Sequence, residues 1–459
     1  MRIEALRGLR VAVWGAGREG RAALAALRGR LDGQAIDLIV APAEAAAAAA
    51  LADDRTRVHA LEPDAAFLAG YDVVVKSPGI SPYRAPVPEA EHLGVRFVSG
   101  SALWFAEHPE ARTIAVTGTK GKSTTSALIA HLTRANGLRV ALCGNIGVPL
   151  LELLDPPSPP DWWVMELSSF QTRALGAVPE IAVVLNLFPE HLDWHGDAAR
   201  YYVDKLELLG RPGLRPRASV LDAEVEWPPD TIPEQGVRWY GSGNGFHIEG
   251  DAIRFGSERV FALSELPLPG AHNARNVCSA LTAIEAAGID ARSVLHALPS
   301  FRPLPHRLQS LGERDGLTYV NDSIATTPHA TLAALAHFEP RAVTVLVGGH
   351  DRGVDWGAFR AGVQRAPPHA LVAIGAHGRS ILETLASLPE DRPRRAHAAT
   401  LAEGVERARA LTPAGGIVLL SPGAPSFGEF RDYIERGRRF AELAGFDPHR
   451  IAHIEGLGL

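Results

Sequence analysis

The sequence predicts an α/β protein built from three domains with parallel sheets. Short runs rich in Val, Ile and Leu alternate with Ala- and Leu-rich helical patterns along most of the chain, which is typical of domains with alternating strands and helices. The length of 459 residues is enough for about three domains of ~150 residues each. Two glycine-rich turns, at 15–20 and 118–121, each lie between a strand-like run and a helical one.

Composition and charge exclude several broad classes of protein. The formal net charge of −6 gives no general attraction to nucleic acid. Cys143 and Cys278 are the only cysteines, so a disulfide framework and a CxxC metal site are both excluded. The apolar run near the N-terminus is too short for a secretion signal, and no apolar segment reaches the ~20 residues that span a bilayer. We therefore expect a cytoplasmic protein without a membrane span.

The first region contains a possible nucleotide turn. Strands are predicted at Arg10–Trp14, Ile36–Val40, Asp72–Lys76 and Arg96–Val98. The alanine-rich tract 41–54 predicts a helix, because alanine has the lowest free-energy cost in that state. Gly15, Gly17 and Gly20 form GxGxxG after the first strand, which lets backbone N–H groups approach a pyrophosphate. The second strand lacks the terminal acid that would hold a ribose, so NAD is disfavoured, while other nucleotides and simple strand–helix packing stay open.

The later regions repeat the strand and helix alternation. Strands are predicted at Thr113–Thr117, Trp162–Glu166, Ile181–Asn186, Thr318–Val320, Ala342–Val347, Ala370–Ala373 and Ile417–Leu420. Residues 210–266 have a less regular, more β-like pattern. Pro299, Pro303 and Pro305 cannot continue a helix and indicate a linker. The predicted domains are residues 1–104, 105–303 and 304–459.

The strongest functional pattern is the stretch GTKGKST at 118–124. It resembles the phosphate loop G-x-x-x-x-G-K-S/T, but Val116 occupies the position of the first glycine. The glycines free the backbone to surround an anion, Lys122 supplies a positive charge for the β- and γ-phosphates, and Ser123 can bind Mg²⁺. The stretch therefore predicts a nucleotide-phosphate site, and chance coincidence is the less favoured alternative.

Two further side chains are expected beside this loop. Glu166 ends one predicted strand and His191 follows another, and the carboxyl ends of parallel strands face the same crevice. Glu166 would suit a hard divalent cation, whereas His191 is a less usual ligand for Mg²⁺. Lys205 lies in a helical pattern that follows, and the pattern alone predicts an ordinary solvated lysine.

Eight ordered motifs resemble those of the Mur ligases, which are ATP-dependent amide-forming enzymes of peptidoglycan precursor synthesis. They are GTKGKST, GNIG at 144–147, ELSSFQ, NLFPEHLDWHG with Lys205, GAHNARN, PHR, NDS and SPGAPSF. Within the family, ELSSFQ, the SPGI at 77–80 and the compact N-terminal region resemble the branch that adds glutamate to UDP-N-acetylmuramoyl-L-alanine. The resemblance implies three domains: a Rossmann-like one, a central P-loop ATPase-type one and a second Rossmann-like one.

The resemblance implies site residues position by position. The family loop is short and begins at the first glycine of GTKGKST, so Val116 is a family trait. Catalytic roles are implied for Lys122, His191 and Lys205. ATP contacts are implied for Gly118, Thr119, Lys120, Gly121, Lys122, Ser123, Thr124, Asn273, Asn276, Arg307 and Asp322. Mg²⁺ ligands are implied at Ser123, Glu166, His191 and Lys205, the last as a carbamylated lysine.

Substrate contacts follow from the same resemblance. The uridine nucleotide pocket is implied at Gly15, Arg18, Ser77, Pro78 and Gly79. Asn145 is implied as a contact to the muramoyl portion. Contacts to the incoming amino acid are implied for Thr326, Arg352, Ser426 and Tyr433, and Ser168 and Phe427 are implied as further substrate contacts. The partners implied are these two substrates, and we expect a monomer whose domains close on ATP.

The amino-acid pocket departs from the pattern of relatives that add D-glutamate. Those relatives commonly carry lysine where this chain has Ile324 and Arg352, and arginine is not equivalent to lysine at a carboxylate. The departures resemble the branch that adds L-glutamate, with an epimerase acting afterwards. The alternative is a D-glutamate enzyme whose pocket has drifted. A folylpolyglutamate-type ligase, a nicotinamide oxidoreductase and a P-loop switch or kinase fit fewer of the motifs.

Overall fold

The structure is a computed structural model that describes residues 1–268, 270–302, 304–351, 355–389, 392–426, 429–451 and 457–458. The chain divides into two compact units, residues 1–301 with 456–459, and residues 302–455. The α/β class with several parallel sheets is confirmed. The three-domain division with the borders given above stays a prediction. No helix of the described residues has the length and hydropathy needed to cross a bilayer.

The first unit begins with a parallel sheet of spatial order β3-β2-β1-β4-β5. Its strands are β1 (Val11–Trp14), β2 (Ile36–Val40), β3 (Val58–Ala60), β4 (Val73–Lys76) and β5 (Arg96–Val98). The helices of this region are α1 (Arg18–Arg30), α2 (Ala45–Ala48), α3 (Ala65–Leu68), α4 (Val87–His92) and α5 (Gly100–Glu107). The glycine turn at 15–20 connects β1 to α1, so it lies at the carboxyl end of the central strand.

The helix predicted over residues 41–54 is confirmed only in part, since residues 42–51 are helical but irregular. The tract forms only the single turn α2, flanked by 3-10 turns at Pro42–Glu44 and Ala49–Leu51. Ala48 is the buried residue of α2, and neither flanking 3-10 turn has a fully buried residue. A short helix is marginal without an apolar face to pack, so the alanine preference for helix is not sufficient here.

A second parallel sheet follows in the same unit, with the order β11-β10-β9-β6-β8-β7. Its strands are β6 (Thr113–Thr117), β7 (Val140–Gly144), β8 (Trp162–Glu166), β9 (Ile181–Val184), β10 (Ala218–Asp222) and β11 (Val237–Tyr240). A small antiparallel sheet contains β12 (Phe246–Glu249), β13 (Ala252–Phe255) and β14 (Glu258–Ala262). The β-like pattern predicted for 210–266 is confirmed by these strands. All residues of β6, β8 and β9 are buried, as expected for parallel strands covered on both faces.

The helices of this second region surround the sheet and its loops. They are α6 (Lys122–Ala135), α7 (Ser169–Arg173), α8 (Leu192–His195), α9 (Ala198–Leu206), α10 (Ala271–Ala286) and α11 (Ala291–Val294). Short 3-10 turns occur at Ile3–Leu6, Leu150–Leu153, Glu207–Leu209, Leu263–Glu265 and Leu295–Ser300. One buried core continues from Val13 and Leu27 of the first sheet region, through Trp104, to Ala115 and Met165 of the second. The two parallel sheets of the first unit therefore share one continuous core.

The second unit contains a mixed sheet of order β15-β16-β20-β17-β18-β19. Its strands are β15 (Gln309–Arg314), β16 (Leu317–Asn321), β17 (Val343–Val347), β18 (Ala370–Ile374), β19 (Arg394–Ala398) and β20 (Ile417–Leu420). Its helices are α12 (Pro328–His337), α13 (Gly357–Arg365), α14 (Gly375–Thr384), α15 (Leu401–Leu411) and α16 (Tyr433–Ala444), with a 3-10 turn at Pro448–Ile451. The edge strand β15 is antiparallel to β16, and the other pairs are parallel. Separate buried cores lie on the two faces of this sheet.

Candidate nucleotide and ligation site

The loop between β6 and α6 requires glycine at two positions. Gly118 has φ +148° and Gly121 has φ +85°, and both values lie in the region that favours glycine. A Cβ on Gly118 would lie 2.9 Å from the Cβ of Leu185, and a Cβ on Gly121 would lie 2.5 Å from Asn276 Oδ1. The loop therefore passes close to the end of β9 on one side and to α10 on the other.

Hydrogen bonds from the neighbouring strand fix the path of this loop. Asn186 accepts from the Lys120 backbone N–H at 2.8 Å and donates to the Lys120 carbonyl at 3.0 Å. The Thr119 hydroxyl lies 2.8 Å from the hydroxyl of Tyr201 in α9 and donates to the Phe188 carbonyl at 3.0 Å. The Lys120 ammonium pairs with Glu190. The loop is thus held in place by residues that follow β9.

Two ammonium groups converge on one carbonyl of the loop. Lys122 Nζ donates to the carbonyls of Gly118 and Thr119, each at 3.0 Å, and Lys205 Nζ donates to the Gly118 carbonyl at 3.0 Å. Lys205 is only 2% exposed, so the solvated position predicted by the sequence pattern alone is wrong. Burial, followed by the charge of Lys122, holds the pKa of Lys205 well below its usual range.

Glu166 presents a carboxylate oxygen that fits a cation. In the sheet register Glu166 lies between Val116 of β6 and Gly144 of β7. Its Oε1 accepts from the Asn145 side-chain amide at 2.8 Å, while its Oε2 is buried and has no hydrogen-bond partner among the described residues. A buried carboxylate oxygen is normally hydrogen-bonded or bound to a metal. Glu166 therefore fits the role of a Mg²⁺ ligand.

No group of three or more His, Cys, Asp or Glu side chains is arranged to hold an ion in the part of the chain that the structure describes. Mg²⁺ is usually held by one or two carboxylates together with water and phosphate oxygens. Further candidate ligands are the hydroxyl of Ser123, at the start of α6, and Lys205. Ser123 offers an oxygen as it stands, whereas Lys205 offers one only if it carries an added carboxylate.

His191 lies on the same side of the site in a constrained backbone. It has φ +55°, which is uncommon for a residue other than glycine, and it immediately precedes α8. Its ring centroid lies 5.0 Å from that of Phe170. Burial lowers the pKa of His191, and the charges of Lys122 and Lys205 act in the same direction. A neutral imidazole is the form that can bind a metal.

The other predicted ATP contacts lie in both units. In the first unit, Asn276 is buried against Gly121, and Asn273 lies one turn earlier on α10. In the second unit, Asp322 follows β16 and accepts from the Ser421 hydroxyl at 2.7 Å and from the Leu308 N–H at 3.1 Å. Burial raises the pKa of Asp322 to about 6. Arg307 also belongs to the second unit.

The glycine turn of the first sheet meets the SPG motif. A Cβ on Gly15 would lie 2.5 Å from Ser77 Oγ, and one on Gly20 would lie 3.2 Å from it. Ser77 Oγ is buried without a hydrogen-bond partner among the described residues. Arg18 donates to the Gly147 carbonyl at 2.8 Å, which connects this turn to the GNIG motif. The structure thus brings together two motifs that the resemblance assigns to the uridine nucleotide.

The predicted amino-acid contacts lie in the second unit. A cavity of about 500 Å³ lies beyond the ends of β17, β18 and β20, and Ser426 lines it. Thr326 is exposed, and Tyr433 begins α16, where its carbonyl accepts from the Ser323 hydroxyl at 2.8 Å. Arg352 and Phe427 lie outside the described residues.

The sequence patterns missed Lys76, which ends β4. It is 7% exposed, and burial lowers its pKa to about 8. A compositional signal could have identified it. Lysine accounts for only four of the 46 Lys and Arg residues, at positions 76, 120, 122 and 205. The last three lie at the phosphate loop, so the fourth is a candidate for a role that arginine cannot fill.

Gly121→Ala is expected to weaken ATP binding at least tenfold. The new Cβ would collide with Asn276, and a non-glycine residue at this φ costs about 1–2 kcal/mol. Gly137→Ala is the matched control, since Gly137 has φ +80° with nothing within 4 Å of its Cβ position. The control should lose stability with unchanged ATP affinity. Calorimetric titration with ATP and a thermal melt separate the two effects, and equal ATP affinity in both variants would contradict this account.

Comparison with known families gives two matches in the expected order. The family described as Mur ligase middle domain matches residues 116–284, and that described as Mur ligase, glutamate ligase domain, matches residues 306–423. The first match begins within β6 and includes the phosphate loop, α7, α9 and most of α10. The second begins just before β15 and ends after β20.

Relatives match over the full length of the chain. The UDP-N-acetylmuramoyl-L-alanine--L-glutamate ligase of Xanthomonas euvesicatoria pv. vesicatoria (strain 85-10) is 53% identical over 471 residues, covering 100% of both chains. The protein of the same name from Xylella fastidiosa (strain Temecula1) is 50% identical, again over 100% of both. The one from a Micromonospora species is 42% identical over 96% of this chain and 98% of its own.

Solved structures share the fold at low sequence identity. The UDP-N-acetylmuramate-alanine ligase MurC of Thermotoga maritima has a TM-score of 0.60 at 20% identity, covering 95% of this chain and 99% of its own. The MurF ligase of Thermotoga maritima, solved in complex with ADP, has a TM-score of 0.57 at 15% identity, covering 98% and 97%.

The phosphate loop, the two lysines that donate to its Gly118 carbonyl and these matches define an ATP-dependent amide-forming ligase. The chain belongs to the Mur ligase family, as the ordered motifs predicted.

Proposed function

We propose that the chain joins L-glutamate to UDP-N-acetylmuramoyl-L-alanine with conversion of ATP to ADP and phosphate. The observation that carries this proposal is the full-length similarity to relatives named for that reaction. The site supports it, because Lys122 and Lys205 both donate to the Gly118 carbonyl. The same site contains a buried Glu166 oxygen with no hydrogen-bond partner among the described residues. A phosphoryl group and a divalent cation both require such a cluster of charges.

The reaction first needs an activated carboxylate. A carboxylate oxygen of the terminal alanine attacks the γ-phosphorus of ATP, the bond to the bridging oxygen breaks, and ADP leaves with the electron pair. Lys122, the first residue of α6, stabilises the transferred phosphoryl group by its charge, and the helix N-terminus acts in the same direction. An ammonium group has three donors, and Lys122 now uses two of them on the Gly118 and Thr119 carbonyls. A bound phosphate would compete with these carbonyls as its acceptor.

The amide bond forms in the second step. The unprotonated amine nitrogen of glutamate attacks the acyl carbon, the bond from that carbon to the phosphate oxygen breaks, and phosphate leaves. The attacking nitrogen loses a proton, which ends on the departing phosphate as HPO₄²⁻. Because the amine must first form from the ammonium form of glutamate, the overall reaction releases one further proton to solution.

We propose Mg²⁺ as the metal, held by Ser123, Glu166, His191 and a carbamylated Lys205. When bound, Mg²⁺ neutralises charge on the phosphoryl oxygens. The depressed pKa of Lys205 supports its part, because only a neutral amine can add CO₂ to form a carbamate. That addition converts the neutral amine to an anionic carbamate beside Lys122 and releases one proton. The Glu166 oxygen that has no hydrogen-bond partner among the described residues would face the bound Mg²⁺.

The second unit supports an acidic amino acid as the other substrate. Arg436 on α16 lines the cavity that Ser426 also lines, and it is 4% exposed. Its guanidinium donates to the Ser323 hydroxyl and carbonyl and to the Ala424 carbonyl, all neutral oxygens. A buried arginine beside a cavity favours a carboxylate ligand. We propose the L-enantiomer because the relatives are named for L-glutamate and because Ile324 and Arg352 stand where D-glutamate enzymes commonly have lysine.

The cellular setting is part of the proposal. ATP and a UDP-activated sugar are cytoplasmic metabolites, so we place the reaction in the cytoplasm, as a step of peptidoglycan precursor synthesis. We propose that the protein acts as a monomer.

Phosphate release tests the proposed function. We expect release that requires ATP, Mg²⁺, UDP-N-acetylmuramoyl-L-alanine and L-glutamate together. D-glutamate should be turned over at least tenfold less efficiently, as judged by kcat/KM. Folded protein that turns over neither enantiomer would contradict the ligation, and faster turnover of D-glutamate would contradict only the proposed stereochemistry.

A further inference from the structure

Loop 77–83, which follows β4, is bonded directly to segment 191–205, which carries His191 and Lys205. The indole N–H of Trp194 donates to the carbonyls of Pro78 and Gly79, both at 3.1 Å. In return, the Ser81 hydroxyl donates to the Trp194 carbonyl at 2.7 Å. The loop that carries the SPG motif is therefore attached to the segment that carries two proposed metal ligands.

A chain of side chains, all buried except the half-buried Tyr83, makes a second connection, which we call the buried bridge. The Tyr83 hydroxyl donates to Asp204 Oδ1 at 2.5 Å, and Asp204 Oδ2 lies 2.6 Å from His195 Nδ1. His195 Nε2 lies 3.0 Å from the Ser169 hydroxyl. The side chains of His195 and Asp204 are 0% and 1% exposed. Buried polar groups with all their partners in place hold a unique geometry.

Both ends of the buried bridge adjoin the ligation site. Asp204 directly precedes Lys205 on α9, and Ser169 begins α7, three residues after Glu166. Phe170 stacks on Trp194 with ring centroids 4.4 Å apart, and it also contacts the ring of His191. A shift of loop 77–83 would therefore be transmitted to the residues beside Lys205, Glu166 and His191.

Lys76 also contacts both loop 77–83 and Trp194. Its ammonium donates to the Ile80 carbonyl at 2.5 Å and lies 5.9 Å from the centroid of the Trp194 ring. A compact ammonium fits a single carbonyl in a buried space, whereas the planar guanidinium needs room for several donors. This explains why lysine stands here in a chain that otherwise uses arginine for nearly all its cations.

We propose that Tyr83, Asp204, His195 and Lys76 are positioning residues that couple the binding of the UDP-linked substrate at loop 77–83 to the geometry of the nucleotide site. The inference rests on the proposed function for the identity of that substrate. Neither the buried bridge nor Lys76 needs to contact a reacting atom. Coupling of this kind is reciprocal, so each ligand must strengthen the binding of the other by the same factor.

Tyr83→Phe tests the coupling by calorimetry on the full chain. The probes are UDP-N-acetylmuramoyl-L-alanine and a non-hydrolysable ATP analogue, each titrated with and without the other. In the wild type each probe should tighten the other about fivefold or more. In Tyr83→Phe this factor should fall towards one, while the affinity for the analogue alone stays unchanged. Turnover should fall about tenfold or more, as for other residues that orient metal ligands.

Tyr71→Phe is the matched control. Tyr71 lies in the same sheet region, and its hydroxyl also donates to a carboxylate, Asp37 Oδ2, at 2.8 Å. Among the described residues, Tyr71 makes no contact with segment 191–205. Removal of its hydroxyl should therefore leave the coupling factor and turnover at wild-type values. Equal losses in Tyr71→Phe and Tyr83→Phe would overturn the inference, as would wild-type coupling in Tyr83→Phe.

Lys76→Arg provides an independent variant that keeps the charge. It should lower the coupling factor at least threefold, because the guanidinium cannot replace the single bond to Ile80 without moving Trp194. Full coupling in this variant would remove Lys76 from the inference. A wild type whose probes bind without coupling would overturn the whole inference. A wild type that shows coupling but releases no phosphate with glutamate would instead contradict the proposed function.

Discussion

Replacement of Lys205 by alanine is expected to lower kcat about 10²–10³-fold, comparable to the loss of a group that stabilises charge in a transition state. Lys205 is buried, its amine is bonded to the Gly118 carbonyl, and its pKa is depressed. These properties suit an amine that is carbamylated and then supplies an anionic metal ligand. Steady-state phosphate release at saturating substrates measures the loss.

Two companion experiments distinguish an anionic role from a cationic one. Acetate or another small carboxylate should restore part of the activity of Lys205→Ala, because it can occupy the space of the missing carbamate. Lys205→Arg should be as impaired as Lys205→Ala, since a guanidinium stays charged and forms no carbamate under these conditions. Wild-type turnover in Lys205→Ala, or full activity in Lys205→Arg, would contradict the proposed role.

Lys122→Ala is expected to have an effect of similar size, a fall in kcat of about 10²–10³-fold. Lys122 is the cation at the N-terminus of α6, and its present acceptors are loop carbonyls with which a phosphate would compete. The KM for UDP-N-acetylmuramoyl-L-alanine should change little at saturating ATP, because the residues implied to contact that substrate do not include Lys122. Initial rates over a range of both substrates separate the two parameters.

Lys120→Ala is the matched comparison for Lys122→Ala, since it removes a neighbouring lysine of the same loop. The side chain of Lys120 is 61% exposed and pairs with Glu190. Exposed ion pairs contribute about 0–1 kcal/mol, so a loss of about fivefold or less is expected. Equal losses in the two variants would show that the loop needs its overall charge and that the position of Lys122 has no special role.

Much of the fold could be predicted from the sequence, because strands that are buried on both faces form clear apolar runs. The predicted limits of β6, β8 and β20 match the structure. The edge strand β15, in contrast, was missed, because it is only partly buried and contains a glycine and two charged residues. Alanine preference alone predicts a helix at 41–54, and the tract forms a shorter, irregular one because it has almost no buried face.

Only part of the candidate site could be predicted from the sequence. GTKGKST has a fixed spacing and a chemical reason for each residue, so it was found without the structure. The buried bridge could not be found in this way, because Tyr83 and Asp204 are 121 positions apart in the chain and neither belongs to a phosphate-binding pattern. The burial of Lys205 was hidden for a related reason, since helical periodicity does not show which neighbour covers a given face of α9.

Isotope transfer from the substrate to the released phosphate tests the central claim most directly. UDP-N-acetylmuramoyl-L-alanine labelled with ¹⁸O in its terminal carboxylate is converted with ATP and L-glutamate, and the phosphate is analysed by mass spectrometry. Attack of the carboxylate on the γ-phosphorus, followed by displacement by the amine, predicts one ¹⁸O atom in each phosphate released from fully labelled substrate. Unlabelled phosphate accompanying formation of the amide would contradict the acyl-phosphate route.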